Sequence, residues 1–157
     1  MRRTLKLFHT VSCAGFTGGI TVYLMLLAYS PDATDIDAFD QNRQNIALVA
    51  HWLILPSMAV ILLSGLLSIA VHRPFQEARW VWAKALSGIL VFEATLASVD
   101  GPAQRAAQTS AAAIAGEIDV SELATKIHDH NGALYILLGL AVANIMLGIW
   151  RPRFKYR

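Results

Sequence analysis

Apolar positions along the chain gather into four stretches, approximately Leu5–Tyr29, Asn45–Val71, Trp80–Val99 and Asn131–Trp150. Each approaches the ~20 residues that a helix needs to cross a hydrocarbon core of about 30 Å. Polar and proline-containing segments separate them. Ser30-Pro31 is expected to end the first helix and Arg73-Pro74 the second, because the residue before a proline is pushed out of the helical region. Asp100-Gly101-Pro102 is expected to interrupt or kink the third. Beyond it the alanine-rich run Ala103–Ala115 predicts a helical extension that stands above the membrane. Asp119 followed by Glu122 resembles a capping box, so the fourth helix is expected to begin near Val120.

The pattern therefore predicts an all-α, four-transmembrane-helix bundle in one domain over residues 1–157. Its helices are placed at about 5–29, 45–71, 80–99 with an extension to about 115, and 120–150. Composition agrees, since 55% of the 157 residues are hydrophobic and 15% charged, and mean hydropathy is +0.48. So little polar surface could not enclose a soluble globule of this size. The first stretch follows Arg2, Arg3 and Lys6 as a secretory signal would. Its apolar run is longer than such signals carry and no A-x-A-like site follows Tyr29, so a retained helix is expected. The single cysteine, Cys13, excludes an intrachain disulfide.

Loop charge gives an orientation. The first loop carries Asp32, Asp35, Asp37 and Asp40 against Arg43, and the third carries Asp100, Glu117, Asp119, Glu122 and Asp129 against Arg105 and Lys126. The N-terminus, the second loop with Arg73 and Arg79, and the tail with Arg151, Arg153, Lys155 and Arg157 are basic. The positive-inside rule then puts both termini in the cytoplasm, as for a multi-pass protein of the bacterial inner (plasma) membrane. Trp80, Trp82 and Trp150 fall at the cytoplasmic interface and Trp52 towards the outer one. The net charge of +2 sums opposed faces and makes no case for nucleic acid.

Ionisable residues sort into two layers. His9, His72 and Lys84 belong to the cytoplasmic layer, and His51, His128 and His130 to the outer one, with Glu93 deeper. Such residues inside a membrane cost free energy and commonly mark a site. His9, Cys13 and Phe16 share one face of the first helix, and Lys84, Gly88, Phe92 and Thr95 share one face of the third. Gly88 would leave room for a flat ligand beside Lys84, with Phe16 and Phe92 lining an apolar pocket. The alternative is that His9 and Lys84 reach back to the headgroups from one turn inside. Lys84 and Glu93 are about 180° apart on an ideal helix, so Glu93 is expected to meet His51 or Asn144 across the bundle, or to be neutral. His51, His128 or His130 could hold copper or zinc or a second haem, although their spacing matches no closed metal motif.

His9 in a leucine-rich first helix, Pro56-Ser57-Met58 and Ser64-Gly65-Leu66 in the second, and Trp80-Val81-Trp82-Ala83-Lys84 opening the third resemble the four-helix membrane family of J-type protoporphyrinogen IX oxidase. They also resemble a related family of bacterial integral membrane proteins. The resemblance covers roughly residues 5 to 100. It implies b-type haem, with His9 and Lys84 as the functional pair and His9 as ligand to the iron. The chain departs from the oxidase pattern at Phe92-Glu93, where that family has an aromatic-histidine pair, and in the acidic run Asp32–Asp40. No Cys-x-x-Cys-His is present, so any haem would be non-covalent. A haem-binding membrane redox protein is the leading expectation, an oxidoreductase with porphyrin or quinone among its partners. In it Lys84 is either a second axial ligand or the counter-charge to a propionate. A non-catalytic accessory subunit of a larger membrane complex and a small metal-handling or transport protein are the alternatives, and a homo-oligomer is compatible with each.

Overall fold

The computed structural model describes residues 2–71, 76, 77, 79–127 and 131–150, and their regular structure is entirely helical. Seven α-helical segments follow in order: α1 (Arg2–Ala28), α2 (Ile36–Val49), α3 (Leu55–Val71), α4 (Arg79–Thr95), α5 (Gly101–Ile114), α6 (Leu123–Lys126) and α7 (Asn131–Trp150). A π-helical turn, Ala50–Ile54, joins α2 to α3 without a break, and another, Leu96–Asp100, joins α4 to α5. The architecture is thus four principal helices. Three of them, over Arg3–Ala28, Ile36–Val71 and Val81–Ile114, are long and apolar enough to cross a membrane, and α7 is apolar over Gly132–Met146. The chain is a helical membrane protein.

Both π turns end two residues before a proline, Pro56 and Pro102. A proline inside a helix has no N–H to donate, and its ring collides with the carbonyl four residues back. Those carbonyls belong to Trp52 and Ser98, which lie inside the two wide turns. Widening to an i→i+5 pattern accommodates the ring without breaking the rod. Asp100-Gly101-Pro102 consequently neither interrupts nor ends the third helix, and Pro102 takes an early position in α5.

Packing keeps one continuous buried stripe through each wide turn. Ile46, Ala50, Ile54 and Met58 are buried in one rod, and Val91, Thr95, Val99, Ala103 and Ala107 in the other. Three successive steps of four residues drift by about 120° around a regular helix. The slower winding of the π turn offsets much of that drift, so the stripe stays on the core. In α1 the inward face runs through Phe16, Ile20 and Tyr23. Gly15 and Gly19 let α1 approach α3 and the π turn before it closely: a Cβ on Gly15 would lie 2.7 Å from Ser57 Oγ of α3, and one on Gly19 2.7 Å from Ile54 Cγ1 of the turn. Gly18, Gly132 and Gly139 have open space instead.

Two expected boundaries are corrected. The second helix starts at Ile36 rather than near Asn45, because the Asp35 side chain caps it by accepting from the Ala38 N–H at 3.2 Å and Asp37 sits in its first turn. Half of the acidic first loop is therefore helix. The fourth helix does not begin at Val120. Asp119 caps only a short 3₁₀ turn, Val120–Glu122, which runs into α6 and stops at Ile127 in extended geometry. Buried Leu123 forms a second small core with Phe39 and Ala113, against which Ile118 and Ile127 also pack.

Polar bonds tie α2 to α5. Asp40 Oδ1 accepts from Ser110 Oγ at 2.6 Å and from Gln44 Nε2 at 3.3 Å; Gln44 Nε2 also donates to the Ala107 carbonyl, and Gln104 Nε2 to that of Ala47. Buried Arg43 lies over the Phe39 ring, 4.7 Å from its centroid. The two π-containing rods, at 36 and 34 residues, are about 50 Å long and exceed the hydrocarbon thickness.

Candidate functional site

The α1 face that carries Phe16 and Ile20 brings His9, about two turns from the helix start, against α3. Ser64 Oγ donates to the Val60 carbonyl at 2.6 Å, which commits its only proton. His9 Nδ1 lies 2.9 Å from Ser64 Oγ and 3.1 Å from the Ile61 carbonyl, an acceptor only, which suits Nδ1 as the donor. The network thus assigns the proton to Nδ1 and the lone pair to Nε2. Nε2 has no hydrogen bond among the described residues. Gly65 opposes the ring, a Cβ there lying 3.9 Å from His9 Cε1.

Lys84 stands on the facing helix, half-buried, and donates from Nζ to the Asn144 carbonyl of α7 at 3.2 Å. Ser87 Oγ lies 3.3 Å from Asn144 Oδ1 and fixes the same junction. Lys84 lies within electrostatic range of both His9 and Cys13, so α1, α3, α4 and α7 meet in one polar layer. Phe16 is 2% exposed in the main core, Phe92 packs against that core, and Gly88 faces Leu62, whose Cδ1 a Cβ would meet at 3.5 Å. These three residues contribute packing here. A shallow cavity of about 280 Å³ lies nearby, lined by Leu66, Ile69, Ala70, Gln76 and Trp82, and does not reach His9 or Lys84.

A second layer lies at the π turns, roughly 24 Å along the rod from Lys84 to Asp100. His51 Nδ1 donates to Asp100 Oδ1 at 3.2 Å, with side chains 46% and 16% exposed, and Trp52 meets the His51 ring edge-on at 5.2 Å. The carboxylate orients the imidazole so that Nε2 points away from it. Among the described residues no group of three His, Cys, Asp or Glu side chains could hold a metal ion. His128 and His130 of this layer, and His72 of the other, lie outside the described residues. Glu93 meets neither expected partner, because His51 is taken by Asp100 and Asn144 lies on the Lys84 side. It is exposed on α4, with no hydrogen bond or ion pair among the described residues.

Sequence reasoning missed Ser64, Ser87 and Asn144 as partners of the polar layer, and Asp100 as partner of His51. The signal was present for Ser64, since it opens the Ser64-Gly65-Leu66 motif; it is the buried serine of α3, where Ser57 and Ser68 are half-buried. Comparisons of the chain with protein-family models, with curated proteins and with solved structures returned no match.

Proposed function

We propose that this protein is a membrane-embedded, haem-binding redox protein in which His9 is the axial ligand through Nε2. The single observation that carries this reading is the contact of His9 Nδ1 with the Ile61 carbonyl and Ser64 Oγ, from which the Nδ1–H tautomer is assigned. Ligating histidines almost always give their other ring N–H to a carbonyl or carboxylate, which orients the ring and raises its basicity. Nδ1 does so here, to Ile61 and Ser64. An imidazole is the kind of ligand that would hold a haem iron, and His9 is the residue that would supply it. Bound haem would supply one-electron chemistry. Lys84, a cation already paired with a carbonyl, fits the counter-charge to a propionate better than a second ligand, which would have to be neutral. The resemblance to J-type protoporphyrinogen IX oxidase supports the same pair and makes porphyrin or a quinone the candidate reaction partner.

Both termini are cytoplasmic in this reading, and α2 and α5 project beyond the outer surface of a bacterial inner membrane. Basic flanks at one end of the rods and acidic segments at the other support that orientation. Reporter fusions at Asp37 and Gly116 should then read as outside and fusions after Arg157 as inside. The function is tested by a reduced-minus-oxidised absorption spectrum of wild type and His9→Ala in mild detergent. A Soret band lost in His9→Ala is the expected result. A folded wild type without haem under haem-replete expression would refute the reading. One observation favours a second site: His51, oriented by Asp100, presents Nε2 as a ligand would, so haem retained by His9→Ala and lost in His51→Ala would move the cofactor, or a transition metal, to the outer layer.

A further inference from the structure

We infer that the outward face of α4 is a dimerisation seam, occupied by the same face of a second copy, with the two Glu93 carboxyl groups paired across the twofold axis. Glu93 is the residue that requires explanation. It lies seven residues before Asp100, about 10 Å further into the apolar part of the rod, and it is exposed, with no hydrogen bond or ion pair among the described residues. A carboxyl group facing hydrocarbon alone is strongly disfavoured, and intramembrane ionisable residues are almost always turned to protein or water.

The residues around it have the periodicity of a helix–helix seam. Trp82, Leu86, Ile89, Glu93 and Leu96 are spaced by four, three, four and three residues, and all five are exposed. That is the a/d repeat of a left-handed helix pair with one polar residue at an a position, a device that fixes register and oligomer number. Continued on a regular helix, the next a position would be Asp100, a second acid in the seam. The π turn Leu96–Asp100 rotates Asp100 away to His51 and so ends the seam where it would become doubly charged.

A second copy is the occupant that meets every requirement at once. Copies inserted in one membrane share an orientation, so a twofold axis along the membrane normal sets Glu93 against Glu93 at equal depth without adjustment. Carboxyl groups are self-complementary when they share protons, each side supplying donor and acceptor. Another protein would need a matching polar residue at that depth, for which nothing in this chain selects.

The test uses the full-length protein in native membranes with Cys13 replaced by alanine and single cysteines introduced. Oxidation should give disulfide-linked dimers for Leu86→Cys and Ile89→Cys, and none for Val142→Cys on the exposed face of α7. In vesicles, energy transfer between labelled copies on dilution should show Glu93→Gln, whose amide is also self-complementary, dimerising within about threefold of wild type. Glu93→Val should dimerise about tenfold more weakly. Absence of cross-links at Leu86 and Ile89, equal cross-linking at Val142, cross-linking only to a different protein, or an unchanged Glu93→Val dimer would each overturn the inference.

Discussion

Adding one carbon at Gly19 tests the packing of α1 against the Ala50–Ile54 π turn directly. A Cβ there would lie 2.7 Å from Ile54 Cγ1, a carbon on the branch of a side chain that is 0% exposed and held on every side. Ordinary carbon contacts are ~3.5–4.0 Å, so the helices must part locally by nearly 1 Å, and a gap of that size forfeits a quarter to a half of each contact's attraction. Inserting a methyl group into a packed core costs about 1–3 kcal/mol. Replacing glycine by alanine within a helix returns up to ~1 kcal/mol. Gly19→Ala should therefore lose about 1–2 kcal/mol. Gly18→Ala, one residue away with open space around it, should be neutral or gain up to ~1 kcal/mol. The assay is the midpoint of SDS-induced unfolding in mixed micelles, followed by circular dichroism, for the two variants side by side. A Gly19→Ala midpoint equal to wild type, or a Gly18→Ala protein less stable than Gly19→Ala, would refute the packing.

Three further outcomes follow from the same geometry. Ser64→Ala removes an acceptor of the His9 ring proton, so in haem-loaded protein the absorption maximum or redox potential should shift while haem content stays near wild type; an unchanged spectrum and potential would mean that Ser64 does not orient the ligand. Asp119 accepts from the Ser121 hydroxyl and N–H, which hold its carboxyl below the usual carboxylate range. The stabilisation it gives to the 120–127 segment should be full above about pH 4 and disappear as pH falls through its folded value. Amide-exchange protection in wild type and Asp119→Ala should accordingly differ at pH 7 and converge in strong acid. Deleting Ala97 together with Pro102→Ala should turn the Leu96–Asp100 π turn into regular α-helix and preserve a folded protein by circular dichroism and gel filtration, whereas deleting Ala85 from regular α4 should not.

Much of the bundle is legible along the chain because lipid and core impose long apolar runs that nothing else produces. The number of long helices and the inward face of α1 come from that periodicity alone. Boundaries at the polar ends are harder, because Asp35 and Asp37 read equally well as loop or as cap and first turn, and only the burial of Phe39 decides. The π turns left a readable trace in Pro56 and Pro102 together with buried positions repeating at strict steps of four, a spacing too wide for an uninterrupted α-helix. His9 and Lys84 could be set at one depth by counting. Their bonding partners could not, since Ser64 and Asn144 lie 55 and 60 residues away and only the packing of α3 and α7 brings them near.

The ties between α2 and α5 constrain how the protein can be made. Asp40 and Ser110 are 70 residues apart, and the Gln44 and Gln104 bonds span 63 and 57. With α2 and α5 beyond the bilayer, as proposed above, neither polar half-rod can satisfy the other until both have emerged on the same side. In that topology the Asp35–Val49 stretch waits, solvated and open, while α3 and α4 insert. Closure of this part of the protein is therefore a late event, and a ribosome-bound chain ending near residue 100 should expose Asp40 to labelling from which the finished protein shields it.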